Sequence, residues 1–155
     1  MPMHTEKRTL TYRPDQMYDL VKSVENYPNF LPWCQALRIR QHEVDSDGCE
    51  MVLADMVIGF KVFREQFTSV IAAKPATKSQ PARIDVTYTE GPFKFLNNYW
   101  IFKPHSKGVE IDFFVDFEFS SKILEKAIGL VFNEAVQKMV DAFEGRAAHI
   151  YNKTD

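Results

Sequence analysis

The run Val109-Glu110-Ile111-Asp112-Phe113-Phe114-Val115-Asp116-Phe117-Glu118-Phe119 alternates in character along its length. Val109, Ile111, Phe113, Val115, Phe117 and Phe119 fall on one side, and Glu110, Asp112, Asp116 and Glu118 on the other, because successive side chains of a strand point to opposite faces. One face is built for burial and the other for water, the usual pattern of an antiparallel sheet. Directly after it, Ser120 or Ser121 offers a hydroxyl to the orphan amides of a helical first turn. The helix so started is predicted to reach about Tyr151. Its apolar positions, Leu124, Ala127, Ile128, Val131, Phe132, Ala135, Val136, Met139, Val140 and Phe143, make a stripe broader than a surface helix needs. The sheet is therefore expected to grip this helix.

Between Cys34 and Phe119, β-branched and aromatic runs are separated by turn signals at Asp45-Ser46-Asp47-Gly48, Lys74-Pro75, Glu90-Gly91-Pro92 and Ser106-Lys107-Gly108. Six strands are predicted there. Before them, a first strand is read over Thr9 to Tyr12 and a helix starting at Arg13-Pro14-Asp15-Gln16, with Met17, Leu20, Val21 and Val24 at helical spacing. That helix is expected to end by Tyr27, because Pro28 disfavours the α conformation of the residue before it. Pro32 then leaves room only for a turn-like helix through Asn29, Phe30 and Leu31. No repeat or linker interrupts the order of strand, two helices, six strands and one helix, so residues 1–155 read as a single domain.

The chain of 155 residues holds thirteen Phe, six Tyr and two Trp, a supply of rings that either fills a core or lines a cavity for a flat apolar ligand. A net charge of −2 argues against the broad basic surface that DNA or RNA would require. Cys34 and Cys49 lack CxxC spacing and are expected at opposite ends of a hairpin, as free thiols of a reducing compartment. The first ten residues lack the apolar run of a secretory signal, and no stretch approaches the ~18 apolar residues of a membrane span. A cytoplasmic protein is expected, with a peripheral position at the inner membrane and a transient membrane contact as further options. His4, His42, His105 and His149 show no metal-ligand spacing, and GxGxxG, GxxxxGK[ST] and GxSxG are absent. No catalytic residue, metal or required cofactor is expected.

The strand and helix order resembles the helix-grip fold of lipid-transfer, birch-pollen-allergen and polyketide-cyclase proteins: α+β, with a curved antiparallel sheet of about seven strands around a long C-terminal helix. Four motifs sharpen the resemblance. They are Tyr27-Pro28-Asn29-Phe30-Leu31-Pro32-Trp33-Cys34, then Gly91-Pro92-Phe93-Lys94-Phe95-Leu96 before Trp100, Phe117-Glu118-Phe119, and Ala142-Phe143-Glu144-Gly145-Arg146-Ala147. Together they resemble the coenzyme Q-binding protein family, whose bacterial relatives include the ribosome association toxin RatA. The resemblance implies a hydrophobic tunnel between sheet and long helix, and ubiquinone as bound ligand in support of respiratory electron transfer. The Pro-Trp-Cys ending of the first motif leans toward the mitochondrial-type quinone binders. Two other functions are carried beside it: a RatA-like protein with the ribosome as partner, and an aromatase or cyclase enzyme.

The residues expected to bind ligand are Tyr27, Phe30, Trp33, Phe93, Leu96, Trp100, Phe113, Val115, Phe117, Ile128, Val131, Phe132, Val136 and Met139. Tyr27 to Trp33 reads either as a stiff lid or as a plug for one end of the sheet, and Phe93 either as a gate or as turn packing. If Tyr27 to Trp33 and Gly91 to Phe93 are gates, they are expected to meet over the cavity mouth. On Phe95 to Phe102, the face of Leu96, Asn98 and Trp100 is expected inward, with Asn98 either orienting a ligand or bonded to backbone. Arg64 is expected to pair with an acid on a neighbouring strand, or, as the alternative, to face a quinone carbonyl.

Overall fold

The computed structural model describes residues 3–31, 33–60 and 63–151. Seven strands form one antiparallel sheet: β1 (Met3–Leu10), β2 (Cys34–Val44), β3 (Glu50–Phe60), β4 (Phe63–Lys74), β5 (Ala82–Glu90), β6 (Phe93–His105) and β7 (Gly108–Phe119). Their spatial order is β1-β7-β6-β5-β4-β3-β2. Because β1 pairs with the last strand while β2 lies at the opposite edge, the connection between them must cross the sheet. That crossing is made by α1 (Pro14–Lys22), a 3-10 turn at Val24–Asn26 and α2 (Tyr27–Phe30). After β7, α3 (Lys122–Tyr151) returns over the concave face. The architecture is the α+β helix-grip arrangement that the order of elements implied.

One boundary and the conformation of Tyr27 differ from the sequence reading, while the helix after Pro14 ends before Tyr27 as expected. β1 spans Met3–Leu10 rather than Thr9 to Tyr12. Its inward side chains include His4, Glu6 and Arg8, so no apolar alternation marks the strand; instead Arg8 donates to both Glu6 and Glu144, and His4 Nε2 lies 2.9 Å from Glu6 Oε1. The helix after Pro14 stops at Lys22, and Tyr27 adopts the α conformation (φ −55°, ψ −42°) despite Pro28. Pro28 falls in the first turn of α2, where a missing N–H costs nothing. The buried Tyr27 hydroxyl donates to the Val21 carbonyl, which fixes the residue against its local preference. Pro32 lies outside the described residues.

The deepest side chains are Met17, Val21, Ile84, Phe102 and Val109, where α1 lies against β5, β6 and β7. Lys22, at the end of α1, is tied to the sheet by its Nζ, 2.7 Å from Glu50 Oε2, and His42 Nε2 lies 2.7 Å from the other Glu50 oxygen. The hydrogen bond from Lys22 foremost, then that from His42, holds the Glu50 carboxyl below the usual carboxylate range. A depressed folded-state pKa contributes stability that is present above the unfolded value and is lost as pH falls through the folded one. Glu50→Gln is therefore expected to melt lower than the native chain at neutral pH and to converge with it in acid. Melting curves across an acid series check this, and a constant gap at every pH contradicts it.

α3 is buried toward its two ends, and along its middle it meets the sheet through side chains such as Phe132, whose ring centre lies 5.6 Å from that of Phe117 on β7, across a space. Ser121 caps it: the Leu124 N–H donates to Ser121 Oγ at 3.3 Å, and Glu125 reaches back to the Phe119 N–H at 2.9 Å. Of its 30 residues only Ile128, Phe143 and Ala147 are buried, so the helix is spanned over a space more than gripped. Ile128 packs with Phe67, Phe93 and Phe119, and Phe143 and Ala147 join the main core around Tyr27 and Val21.

Candidate functional site: an apolar cavity between sheet and long helix

The gap beneath the middle of α3 is a cavity of about 240 Å³. Its sheet wall follows from strand alternation. On β4, Glu65, Phe67, Ser69 and Ile71 face inward, paired in regular register with Ile58, Met56, Ala54 and Val52 of β3. On β7, Phe113, Val115, Phe117 and Phe119 face it. Val115 and Phe117 are only half-buried because they look into the space and not into packed side chains. A bulge between Phe93 and Phe95 shifts the alternation of β6 by one, which is how Phe93 and Leu96 both face inward.

The structure brings most of the expected residues to this wall. Tyr27, Trp33, Phe93, Leu96, Trp100 and the β7 trio Phe113, Val115 and Phe117 line it from the sheet side, and Ile128, Phe132, Val136 and Met139 from α3. Phe30 and Val131 do not. Phe30 packs edge-on against Tyr27 and Phe143, with ring centres 5.8 and 5.3 Å apart, and Arg146 lies over its other side. Val131 sits half a turn away, against the Phe67, Phe93 and Phe119 cluster. Sequence reading missed Met56, Ile58, Phe67, Ile71, Ile84, Val86, Ala135 and Phe143 as lining residues. On β4 the missing signal was direction: Phe67 and Ile71 share a strand with Val70 and Ala72, so alternation did not say which side was wet.

The expected meeting of two gating loops does not occur. Phe30 belongs to the main core, whereas Phe93 is 7% exposed in the second cluster, stacked on Phe119 at 4.8 Å and edge-on to Phe67, Tyr88 and Phe117. Its N–H donates to the Tyr88 hydroxyl at 3.1 Å. Phe93 is thus a packed end wall. Gly91, at φ +142°, is where the turn needs glycine: a Cβ there would come within 2.7 Å of the Phe67 side chain. Half-buried lining residues, Trp33, Ile58, Gly59 and Glu65 on the sheet side with Phe132, Ala135 and Val136 on α3, mark the open rim.

Three polar side chains, Glu65, Ser69 and Asn98, interrupt an otherwise apolar lining that includes the Tyr27 ring. Asn98 faces inward and is also held: Nδ2 donates to the Phe114 carbonyl at 2.8 Å, and Oδ1 accepts from the Trp100 indole at 3.3 Å. The expectation that Asn98 is bonded to backbone holds. Among the described residues Arg64 pairs with no acid on a neighbouring strand; its guanidinium donates to the Gln35 side chain on β2. Burial pushes the Cys34 thiol up to about 11, so it stays protonated at neutral pH and is a poor nucleophile. Cys34→Ser and Cys49→Ser are accordingly expected to leave ligand retention intact; loss of binding by a variant of native melting temperature contradicts this. Among the described residues no group of three His, Cys, Asp or Glu side chains is placed to hold a metal ion, and no helix is long and apolar enough to cross a membrane. The arrangement can take up an apolar molecule and shield it from water.

The sequence profile of a family described as "Polyketide cyclase / dehydrase and lipid transport" matches residues 10–144, from the end of β1 through the cavity wall to Glu144 of α3. The chain belongs to that family. Within it, the chain is 38% identical over 143 residues to a Rickettsia prowazekii protein named ribosome association toxin RatA, covering 92% of this chain and 94% of that one. It is 30% identical to a mitochondrial coenzyme Q-binding protein, homolog B, of Xenopus laevis, covering 98% of this chain but 60% of that one. An 18 kDa protein of Caulobacter crescentus solved in solution superposes with a TM-score of 0.77 at 33% identity, over 98% of this chain and 99% of that one. Both names that the motifs brought forward are thus found among its relatives in the polyketide cyclase and lipid transport family. The lean toward the mitochondrial type is not reflected in identity, which is higher to the RatA-named protein.

Proposed function

We propose that this chain is a non-enzymatic binder of ubiquinone or a similar polyprenyl lipid, working in the cytoplasm with transient contact to the inner membrane. The observation that carries the reading is the cavity itself: aromatic and aliphatic walls on every side, with Glu65 as the one charged side chain among the described lining residues. Removing an isoprenoid chain from water contributes roughly 25 cal/mol per Å² of apolar surface, so such walls suffice to retain it. The volume of about 240 Å³ is below the ~300–1,000 Å³ of pockets that enclose drug-sized ligands. A ring and a short length of tail fit, and a longer tail leaves through the rim. The residues given this role are Tyr27, Trp33, Phe93, Leu96, Trp100, Phe113, Val115, Phe117, Ile128, Phe132, Val136 and Met139, with Phe67 and Ala135 added. Among the described residues the wall carries Glu65 as its one carboxylate and no acid–base pair that a cyclase reading would use.

A second reading, association with the ribosome, is favoured by the 38% identity to the RatA-named protein. The net charge of −2 counts against a contact dominated by RNA phosphates. The test is to purify the chain from its own host, extract it with organic solvent and identify what it carried by mass spectrometry, while its sedimentation with ribosomal subunits is followed in the same lysate. A co-purifying prenylated quinone supports the first reading. An empty protein that sediments with one subunit replaces it with the second.

A further inference from the structure

The polar groups at the cavity wall are not equivalent. Asn98 is occupied at both ends by the Phe114 carbonyl and the Trp100 indole. Glu65 and Ser69 line the same cavity, and neither side chain has a hydrogen-bond or ion-pair partner among the described residues. They stand four residues apart on β4, which is regularly paired with β3 through Ile58 and Ala54, so both point the same way, with Phe67 between them, and lie about 13 Å apart along the strand. Ser69 is 3% exposed and Glu65 half-buried at the rim, which puts the hydroxyl deeper than the carboxylate.

An acid placed at an apolar wall loses part of its hydration and, without a cation beside it, gains nothing in return. A ligand that donates a hydrogen bond would restore what is lost. A carboxylate offers only lone pairs, whereas a serine hydroxyl both donates and accepts. The two redox forms of a benzoquinone lipid differ in this respect. The oxidised ring carries carbonyl and ether oxygens, all acceptors, and would set its lone pairs against those of Glu65. The reduced ring carries two hydroxyls, each a donor.

We propose that the cavity discriminates by redox state, holding the quinol in preference to the quinone through a ring hydroxyl donated to Glu65. The proposal rests on the quinone-lipid reading above and assigns the chain no chemical step. Hydrogen bonds to charged groups are strong enough for a preference of roughly tenfold or more. Because the forms differ by two electrons, each tenfold preference for the quinol raises the midpoint potential of the bound couple by about 30 mV.

The experiment is calorimetric titration of the native chain and of Glu65→Gln with a two-isoprene ubiquinone and with the same compound reduced and kept under argon. The native chain is expected to bind the reduced form about tenfold more tightly or better. Glu65→Gln, whose amide can donate to a carbonyl as well as accept, is expected to weaken quinol binding, strengthen quinone binding and bring the ratio near unity. Equal affinities in the native chain, tighter binding of the quinone, or an unchanged ratio in a folded Glu65→Gln protein overturns the proposal while leaving a quinone-binding cavity in place. If the native chain binds neither form, the quinone-lipid reading itself falls and this one with it.

Discussion

Ala135→Phe is expected to lower affinity for a short-tailed ubiquinone on the order of tenfold or more while leaving the melting temperature within about 3 °C of the native value. Ala135 is half-buried on the span of α3 that stands off the sheet, between Phe132 and Met139, and its side chain borders the cavity. A ring added there has space to enter, so the usual ~1–3 kcal/mol of overpacking a dense core does not arise. The intrinsic helix cost of Phe against Ala is about 0.5 kcal/mol, and the apolar area newly buried offsets it. What the ring occupies is the volume the ligand needs. Parallel melting and titration of the variant give both quantities. A variant that binds as tightly as the native chain removes the middle of α3 from the site, and one that unfolds shows the helix to be packed more closely than the cavity implies.

Phe93→Ala should do the reverse. Deleting a fully buried Phe costs about 3 to 5 kcal/mol, which in a chain of this size lowers the melting temperature on the order of 10 °C. Phe93 is 7% exposed and its ring meets four others, so the full cost applies. Phe30 is half-buried on the outer side of Tyr27 and Phe143, and Phe30→Ala is expected to cost less than half as much. A gate made of these two side chains would behave otherwise, with fast ligand exchange on truncation and little loss of stability. Thermal melts and exchange rates with liposomes on each single variant separate the two behaviours.

Where sequence information ends differs from element to element. β7 was legible residue by residue because its two faces differ completely in polarity, and the cap at Ser121 followed from position alone. β1 was not, because its inward side is a charged ladder of His4, Glu6 and Arg8 whose partner, Glu144, lies on α3. Periodicity detects apolar burial and is blind to burial by ion pairing. The cavity wall on β6 was legible through Trp100 and Asn98, but the inward turn of Phe93 depended on a bulge that shifts alternation by one residue. On α3, the stripe of apolar residues was correct in composition and silent about distance: the same pattern suits a helix packed on a sheet and a helix held above a void. The stripe is not uniform: Ile128, Phe132, Ala135, Val136 and Met139 look into the space, whereas Val131 packs on the second cluster. Phe30 shares its motif with Tyr27, Leu31 and Trp33, which do reach the wall, and membership in the motif does not separate it from them.

The chain's two tryptophans, Trp33 at the rim and Trp100 in the wall, both border the cavity, which gives a lipid of this class a direct optical signature. A benzoquinone ring held between β4, β6 and α3 quenches the fluorescence of both indoles. Titration of the native chain with a short-tailed ubiquinone should therefore give saturable quenching at one ligand per chain, part of it lost in Trp33→Phe and part in Trp100→Phe, and nearly all of it absent in Ala135→Phe. Linear, unsaturable quenching that is the same in the folded Ala135→Phe protein would mean that the quinone never enters the space beneath α3.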